Sequence, residues 1–124
     1  MYWIKYIPSD LYWLLNLLRL RFLKYEAAKN HYFKPHYDGC FARKDSNERS
    51  FLTIQIYLTD NLTTGGATRF LAGNPDVPSV DIQPEKGLVV VFDHRILHEG
   101  CPLTSGTKYT IRSDVMYAPA FIDL

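Results

Sequence analysis

The chain has 124 residues, a formal net charge of +1 and an aromatic fraction of 15%. This length suits a single domain, which we expect over residues 1–124. The near-neutral charge argues against nucleic acid or an anionic membrane surface as the main partner, and the two cysteines are too few for a disulfide framework.

The first predicted element is an amphipathic helix near the N-terminus. Pro8 and the pair Ser9-Asp10 favour a helix start, and four leucines between residues 11 and 18 repeat at helical spacing. We expect this helix to end at about Leu20 and to pack on a sheet without a chemical role.

The same N-terminal region carries no recognisable targeting signal. It lacks the basic segment and the small-residue cleavage site of a signal peptide. Its apolar stretch, from Leu11 to Leu20, is shorter than the ~20 residues that a membrane span needs. A cytoplasmic location is therefore the default expectation.

After Leu20 the sequence changes to short strand-like segments that are separated by turn signals. Short strands at this spacing, rich in aromatic and β-branched residues, favour a mainly β sandwich or jelly roll over a parallel α/β sheet. The eight predicted strands are Arg21–Tyr25, Tyr32–His36, Phe51–Leu58, Ala67–Leu71, Ser79–Gln83, Gly87–Phe92, Ile96–Cys101 and Lys108–Tyr117.

Two of these strands carry polar residues along one face. Side chains alternate between the faces of a strand, so Thr53, Gln55 and Tyr57 share one face and the aliphatic residues between them share the other. In the last strand the polar set is Lys108, Thr110 and Arg112. Polar inner faces in a jelly roll usually line a ligand site, although two solvent-exposed faces would give the same pattern.

The segment His36-Tyr37-Asp38, at the end of a predicted strand, is the first with metal-binding chemistry. The two-residue period of a strand places His36 and Asp38 on the same face. An imidazole nitrogen and a carboxylate oxygen together suit an ion such as Fe(II). Because such a pair occurs by chance in many proteins, the interpretation requires a third ligand elsewhere in the chain.

His98 is the preferred third ligand, because it follows a buried strand and a short turn. Two histidines and one carboxylate leave three coordination positions open, the arrangement of non-haem Fe(II) oxygenases. His94 and His31 are the competing candidates. His94 more plausibly belongs to a turn with Asp93, and His31 to a solvated loop.

An oxygenase of this kind that uses 2-oxoglutarate also needs a site for the distal carboxylate, because a buried unpaired carboxylate is costly. Lys108, ten residues after His98, and Arg112 on the same strand face are the candidate cations. Tyr57 and Tyr25 are candidate hydroxyl donors. Surface cations and packed tyrosines would give the same residues without a ligand.

Taken together, these segments resemble the prolyl 4-hydroxylase and procollagen lysyl hydroxylase-like branch of the Fe(II)/2-oxoglutarate dioxygenases. The similarity covers about residues 21–117, which would be the catalytic core, and the region before it is shorter than relatives usually have. The matching segments, in the family's order, are Arg21–Tyr25, Phe33–Gly39, Thr53–Leu58, Gly65–Phe70, Gly87–Phe92, His98–Pro102 and Gly106–Tyr109.

The resemblance implies a double-stranded β-helix in which His36, Asp38 and His98 bind iron. It implies Fe(II) as cofactor and 2-oxoglutarate and O2 as cosubstrates, and it admits ascorbate as a further cofactor. The implied reaction hydroxylates a C–H bond and releases succinate and CO2.

The resemblance also implies roles around the cosubstrate. Lys108 would take the position of the family's cation, while Tyr57 and Tyr25 would hydrogen-bond 2-oxoglutarate. Arg112 departs from the pattern as a second cation, which would either replace Lys108 or meet the substrate. The pair Gly65-Gly66 would form a tight turn with a structural role.

The implied substrate is a peptidyl proline, followed by a peptidyl lysine and then by a free amino acid or another small metabolite. Tyr37, Tyr32 and the loop from Gly39 to Arg49 are candidates to line a groove for it, and that loop has the composition of a mobile polar flap. Two alternatives stay open: a non-catalytic metal- or sugar-binding jelly roll of the cupin or lectin kind, and a family member that has lost turnover.

Overall fold

A computed structural model describes residues 2–4, 19–59 and 64–118. In this part of the chain the regular secondary structure is almost entirely strand, with one short 3-10 helix, Ala27–Lys29, after the second strand. The strands are β1 (Tyr2–Ile4), β2 (Arg21–Glu26), β3 (Phe33–His36), β4 (Arg49–Tyr57), β5 (Thr64–Gly65), β6 (Thr68–Phe70), β7 (Val80–Ile82), β8 (Val89–Asp93), β9 (His98–Gly100), β10 (Leu103–Ser105) and β11 (Thr107–Tyr117).

All eight strands that the sequence predicts are present, each within a few residues of its expected bounds. The three additional strands, β1, β5 and β10, have only two or three residues each. The predicted helix, from Ser9-Asp10 to about Leu20, lies outside the described residues except for positions 19 and 20, which belong to no helix. Within the described ranges, no helix combines the length and the apolar character that crossing a bilayer requires.

The strands form two main antiparallel sheets, as in a jelly roll. The larger sheet has the order β1-β8-β4-β11-β2, and the smaller has the order β3-β9-β6-β7. A separate pair joins β5 to β10. This arrangement confirms the predicted mainly β fold.

The core lies between the two main sheets. Tyr57, Val90 and Phe92 from the larger sheet pack with Phe70 and Ile82 from the smaller one. The rings of Phe70 and Phe92 meet edge to face with 5.0 Å between centroids, a favourable geometry for an aromatic pair.

The predicted polar faces of β4 and β11 point into the molecule. Thr53 and Tyr57 of β4 are fully buried, and so are Lys108 and Thr110 of β11. The alternative of two solvent-exposed polar faces is therefore wrong. Burying hydroxyls and an ammonium is costly unless they find partners, so this interior is built around polar chemistry.

Strand β3 sets the geometry of the site. It is an edge strand, which is where Pro35 is tolerated because proline has no N–H for a second neighbour. Its antiparallel partner is β9, and the register places His36 directly opposite His98. The two imidazole rings consequently lie with 4.3 Å between their centroids.

Candidate metal centre and adjoining cavity

Three side chains converge at the end of β3. His36, Asp38 and His98 each present one ligand atom, and these atoms lie within 4.8 Å of one another. Asp38 Oδ1 is 3.5 Å from His36 Nε2 and 3.7 Å from His98 Nε2. The pairing of β3 with β9 thus brings together residues that are far apart in the sequence.

Both histidines are held in one tautomer by the main chain. His36 Nδ1 lies 2.7 Å from the carbonyl oxygen of Lys34, and His98 Nδ1 lies 2.9 Å from that of Ile96. Because a carbonyl only accepts, each Nδ1 must be the donor, which turns the Nε2 atom of each ring towards Asp38. A donated ring N–H of this kind is the usual support of a metal-binding histidine.

Burial favours the neutral form of the His98 ring. The imidazole is largely withdrawn from solvent, and this burial lowers its pKa, although the Ile96 carbonyl and Asp38 oppose the shift. The neutral ring is therefore favoured, and only a neutral imidazole can bind a metal.

The two oxygens of the Asp38 carboxylate have different partners. Its Oδ2 accepts a hydrogen bond of 2.5 Å from the Thr53 hydroxyl, and its Oδ1 forms an ion pair with Arg112 Nη2. Within the described part of the chain, Asp38 Oδ1 has no hydrogen-bond partner besides this ion pair, and His36 Nε2 is buried without any. Such atoms are rare unless they serve a purpose, and a nitrogen and oxygen set of this kind fits Fe(II).

The competing histidines lie elsewhere. His94 is buried, and its Nε2 is 3.6 Å from Asp114 Oδ1, a different carboxylate that also binds Arg21. His31 Nδ1 accepts a hydrogen bond from the backbone of Glu26. Neither ring belongs to the cluster of three.

A cavity of about 150 Å³ adjoins this cluster. Its wall brings together three cations, both clustered histidines and several neutral polar groups. The lining residues are Arg21, Leu23, Tyr25, Phe33, His36, Gln55, Thr68, His98, Glu99, Gly100, Lys108 and Arg112. A pocket with this excess of positive side chains suits an anion.

Lys108 is the buried cation of the cavity. Its Nζ donates a 2.7 Å hydrogen bond to the Gly66 carbonyl and lies 4.3 Å from the centre of the Tyr25 ring. Among the described residues it pairs with no carboxylate, and burial lowers its pKa to about 8. A buried ammonium in these surroundings gains strongly from an incoming carboxylate.

Gly66 has more than a turn-forming role. Its φ is +71°, and a Cβ there would lie 2.6 Å from Leu103 Cδ2. Only glycine fits this left-handed backbone without strain, and the conformation presents the carbonyl that receives Lys108. The glycine pair therefore positions the cation.

Tyr57 stands behind the cavity wall. Its hydroxyl lies 2.6 Å from Thr68 Oγ1, which also receives Gln55 Nε2 at 2.9 Å. Thr68 and Gln55 line the cavity, whereas Tyr57 does not. Burial raises the pKa of Tyr57 to about 12, so the phenol stays neutral and can orient Thr68.

Tyr25, by contrast, lines the cavity directly. Burial raises the pKa of its phenol, with the charge of Arg112 opposing the shift. Two residues of this region had no predicted role: Thr68, in the Gly65–Phe70 segment, and Thr53, whose position on the inward face was the available signal.

The candidates for substrate contact do not line the cavity itself. Tyr37 and Tyr32 are exposed, and they flank the strand that carries His36. The loop after Asp38 is closed at its base by a bridge between Ala42 and Arg49. This bridge makes the segment a small hairpin, and its role as a mobile polar flap stays a prediction.

The sequence matches a known family over most of its length. Residues 20–113 fit the family model of the 2OG-Fe(II) oxygenase superfamily. No curated protein sequence matches the chain.

Solved structures of prolyl hydroxylases share the fold. The prolyl-4-hydroxylase of Pseudomonas putida is 21% identical with a TM-score of 0.60, over 81% of this chain and 54% of that one. A Trichoplax adhaerens prolyl hydroxylase, solved with a hypoxia inducible factor peptide, is 20% identical with a TM-score of 0.60, over 77% and 41% of the two chains. A viral collagen prolyl hydroxylase from Paramecium Bursaria Chlorella virus-1, solved with 2OG, is 20% identical with a TM-score of 0.57, over 95% and 79%.

The chain therefore spans about half or less of the Pseudomonas and Trichoplax proteins and most of the viral one. At these identities the likeness establishes the fold.

Proposed function

The chain belongs to the 2OG-Fe(II) oxygenase superfamily, and from this premise we propose that it hydroxylates a C–H bond with the consumption of 2-oxoglutarate and O2. The observation that carries the proposal is the juxtaposition of two sites: the cluster of His36, Asp38 and His98 lies beside a cavity whose buried Lys108 has no carboxylate partner within the described ranges. Metal ligands and an anion site are the two elements that this chemistry requires.

We assign the iron to His36 Nε2, His98 Nε2 and Asp38 Oδ1. When bound, the iron supplies the oxidising chemistry that couples decarboxylation of 2-oxoglutarate to hydroxylation, with release of succinate and CO2. The chain itself contributes preorganisation. The backbone fixes both histidine tautomers, and Thr53 holds the Asp38 carboxylate through Oδ2 so that Oδ1 stays turned towards the histidines.

Lys108 is the proposed partner of the distal carboxylate of 2-oxoglutarate. Its ammonium lies at the buried end of the cavity, where low dielectric strengthens a charge-assisted hydrogen bond. Tyr25 and Thr68 line the same cavity as neutral polar groups. Tyr57 is proposed to act through Thr68, whose hydroxyl it contacts.

The proposed substrate is a peptide that carries a prolyl residue. The structural likeness to prolyl hydroxylases supports this choice, one of them solved with a peptide. The exposed rings of Tyr32 and Tyr37 next to His36 suit an extended polypeptide. A free amino acid or small metabolite is the second candidate, because the cavity alone is small.

Anaerobic addition of Fe(II) and then 2-oxoglutarate tests the proposal. We expect a weak visible charge-transfer band that requires both additions and that is lost in His36→Ala, Asp38→Ala and His98→Ala. The His94→Ala variant is the matched control, since His94 is an equally buried histidine beside a different carboxylate.

Two results would contradict the proposal in different ways. Loss of iron in His94→Ala with retention in His98→Ala would overturn the ligand assignment. Tight iron binding with no response to 2-oxoglutarate would favour a metal-binding jelly roll without oxygenase activity.

A further inference from the structure

We infer that the substrate binds through a carboxylate that Arg112 holds at the metal end of the cavity, while Lys108 serves 2-oxoglutarate. The inference rests on the proposed function and deepens it, since it states the chemistry of the substrate. Arg112 is thereby assigned as a specificity-determining residue rather than as a cosubstrate ligand.

The first support is position along the inner face of the larger sheet. Lys108 pairs across strands with Tyr25, and Arg112 pairs with Arg21. Lys108 and Arg112 are four residues apart on one strand, a separation of about 13 Å between their Cα atoms. The two cations therefore mark two different places along the cavity.

The solvent exposure of the three cations increases from the closed end of the cavity to its mouth. Lys108 is 2% exposed, the Arg112 side chain is 15% exposed, and the Arg21 side chain is 44% exposed. Arg112 thus lies between the buried ammonium and solvent, beside the proposed metal ligand Asp38. A molecule that enters after the cosubstrate meets Arg112 and not Lys108.

The second support is the balance of charge. Fe(II) carries two positive charges and Lys108 carries one. Asp38 and the two carboxylates of 2-oxoglutarate supply three negative charges, which balance them. Arg112 shares Asp38 with the proposed metal, so its positive charge has no anion of its own in the loaded site. Because an unmatched buried charge is costly, the loaded site favours one further anion.

The other charged residues of the wall do not supply that anion. Arg21 is already matched by Asp114, with 2.8 Å between Nη2 and Oδ2. Glu99 lies 3.5 Å from Arg69, whose main partner is Asp81 at 2.7 Å. Strand alternation turns the Glu99 side chain away from its buried neighbour His98 and so from the site. Arg69 is directly opposite Glu99 in the register of β6 with β9. Strand alternation turns the Arg69 side chain away from its buried neighbours Thr68 and Phe70.

The third support is an unused hydrogen-bond donor. Arg112 Nη2 contacts Asp38, whereas Arg112 Nε is buried with no hydrogen-bond partner among the residues that the structure describes. A buried donor without an acceptor is unfavourable. The planar fork of a guanidinium can hold one carboxylate on Nη2 and receive another at Nε.

The experiment uses the full chain with Fe(II) and saturating 2-oxoglutarate under anaerobic conditions. Acetate and its neutral isostere acetamide are titrated in, and binding is followed by calorimetry and by the shift of the visible charge-transfer band. The same titrations are made with Arg112→Gln, with the charge-conserving Arg112→Lys, and with Arg95→Gln. Arg95 is an exposed arginine paired with Asp93, so its variant removes the same charge outside the cavity.

We expect acetate, and not acetamide, to bind to the wild type and to Arg95→Gln. In Arg112→Gln the acetate affinity should fall about tenfold or more, as for loss of a charge-assisted contact, and Arg112→Lys should recover part of it. Affinity for 2-oxoglutarate should stay within about threefold in every variant, because Lys108 is its proposed charged partner.

A second pair of probes identifies the source of the carboxylate. L-Proline is compared with L-prolinamide, and an N-acetylated tripeptide ending in proline is compared with its C-terminal amide. Preference for L-proline over its amide indicates a free amino acid, and preference for the acidic tripeptide indicates a peptide C-terminus. Either preference must depend on Arg112 to support the inference.

Three outcomes would overturn it. The first is equal binding of acetate and acetamide, or binding of neither. The second is acetate binding that Arg112→Gln leaves unchanged. The third is a large loss of 2-oxoglutarate affinity in Arg112→Gln, which would assign Arg112 to the cosubstrate. If the charge-transfer band never forms, the proposed function itself has failed, a result distinct from these three.

Discussion

The ammonium of Lys108 lies 4.3 Å from the centre of the Tyr25 ring and donates to the Gly66 carbonyl. One aromatic face and one neutral acceptor compensate only part of the cost of burying the charge. The relationship explains why the pKa of Lys108 is lowered to about 8. It also defines the first two predictions.

Removal of the Lys108 charge should weaken binding of 2-oxoglutarate. Lys108→Met keeps most of the volume and removes the charge-assisted contact, so we expect a loss of roughly 1.5–3 kcal/mol in binding free energy. Calorimetric titration of 2-oxoglutarate into the Mn(II)-loaded protein measures it. Lys24→Met, at an exposed position paired with Glu26, should bind as the wild type does. Equal affinities in all three proteins would remove Lys108 from the site.

The lowered pKa of Lys108 predicts a pH-dependent stability. Between about pH 8 and the ordinary value of 10.5, the unfolded chain retains the proton and the folded chain releases it. The contribution of Lys108 to the free energy of unfolding must therefore rise with pH across this window. Below pH 8 both states are protonated and the cost of the buried ammonium is fully present.

Denaturant titrations at several pH values, with the wild type and Lys108→Met compared at each, isolate this contribution from that of the tyrosines. The deficit of the wild type should shrink as the pH rises from 8 to 10.5. A difference that does not change with pH would show that the folded protein holds this proton as tightly as the unfolded chain, so that the pKa of Lys108 is not lowered.

The hydroxyl of Thr53 should matter for the metal. Thr53→Val removes the hydrogen bond to Asp38 Oδ2, and loss of such a support typically lowers metal affinity about 10- to 100-fold. Thr110→Val is the matched control, because Thr110 is also buried and its hydroxyl has no hydrogen-bond partner among the described residues. Competition with a chelator measures both. Comparable losses in the two variants would point to general destabilisation instead.

The hairpin after Asp38 should affect coupling rather than cofactor binding. Deletion of its tip, Lys44 to Asn47, leaves Phe41 bonded to Ser50, the contact that anchors its base. We expect binding of iron and 2-oxoglutarate to persist while succinate forms in excess of hydroxylated product, as when a lid fails to cover the substrate. The ratio of the two products with proline-containing peptides tests this. An unchanged ratio would exclude the hairpin from the mechanism.

The sequence predicted the strands and the cluster of three because both depend on local patterns. Alternation in β4 and β11 placed Thr53 and Lys108 on inward faces. The two-residue spacing of His36 and Asp38 predicted that both would reach one site, although Asp38 lies beyond the end of β3. His98 was preferred to His94 because His94 was expected to lie in a turn with Asp93, and the register of β3 with β9 places His98 opposite His36.

The sequence could not predict contacts that depend on how the two sheets face each other. The hydrogen bonds of Thr68 with Tyr57 and Gln55 cross from one sheet to the other. The same is true of the bond from Thr53, in the larger sheet, to Asp38, which lies two residues after β3 of the smaller sheet. The strands β5 and β10 are too short to show a period, so the carbonyl of Gly66 was not anticipated as a partner of Lys108.

The main-chain support of the two histidines has an evolutionary consequence. The oxygens that fix the rings belong to Lys34 and Ile96, and a backbone oxygen persists whatever side chain those positions carry. Drift at residues 34 and 96 therefore leaves the orientation of the lone pairs intact, whereas the support of Asp38 vanishes with one substitution at Thr53. We expect random mutagenesis with selection for metal binding to tolerate changes at the first two positions and to restrict the third to serine or threonine.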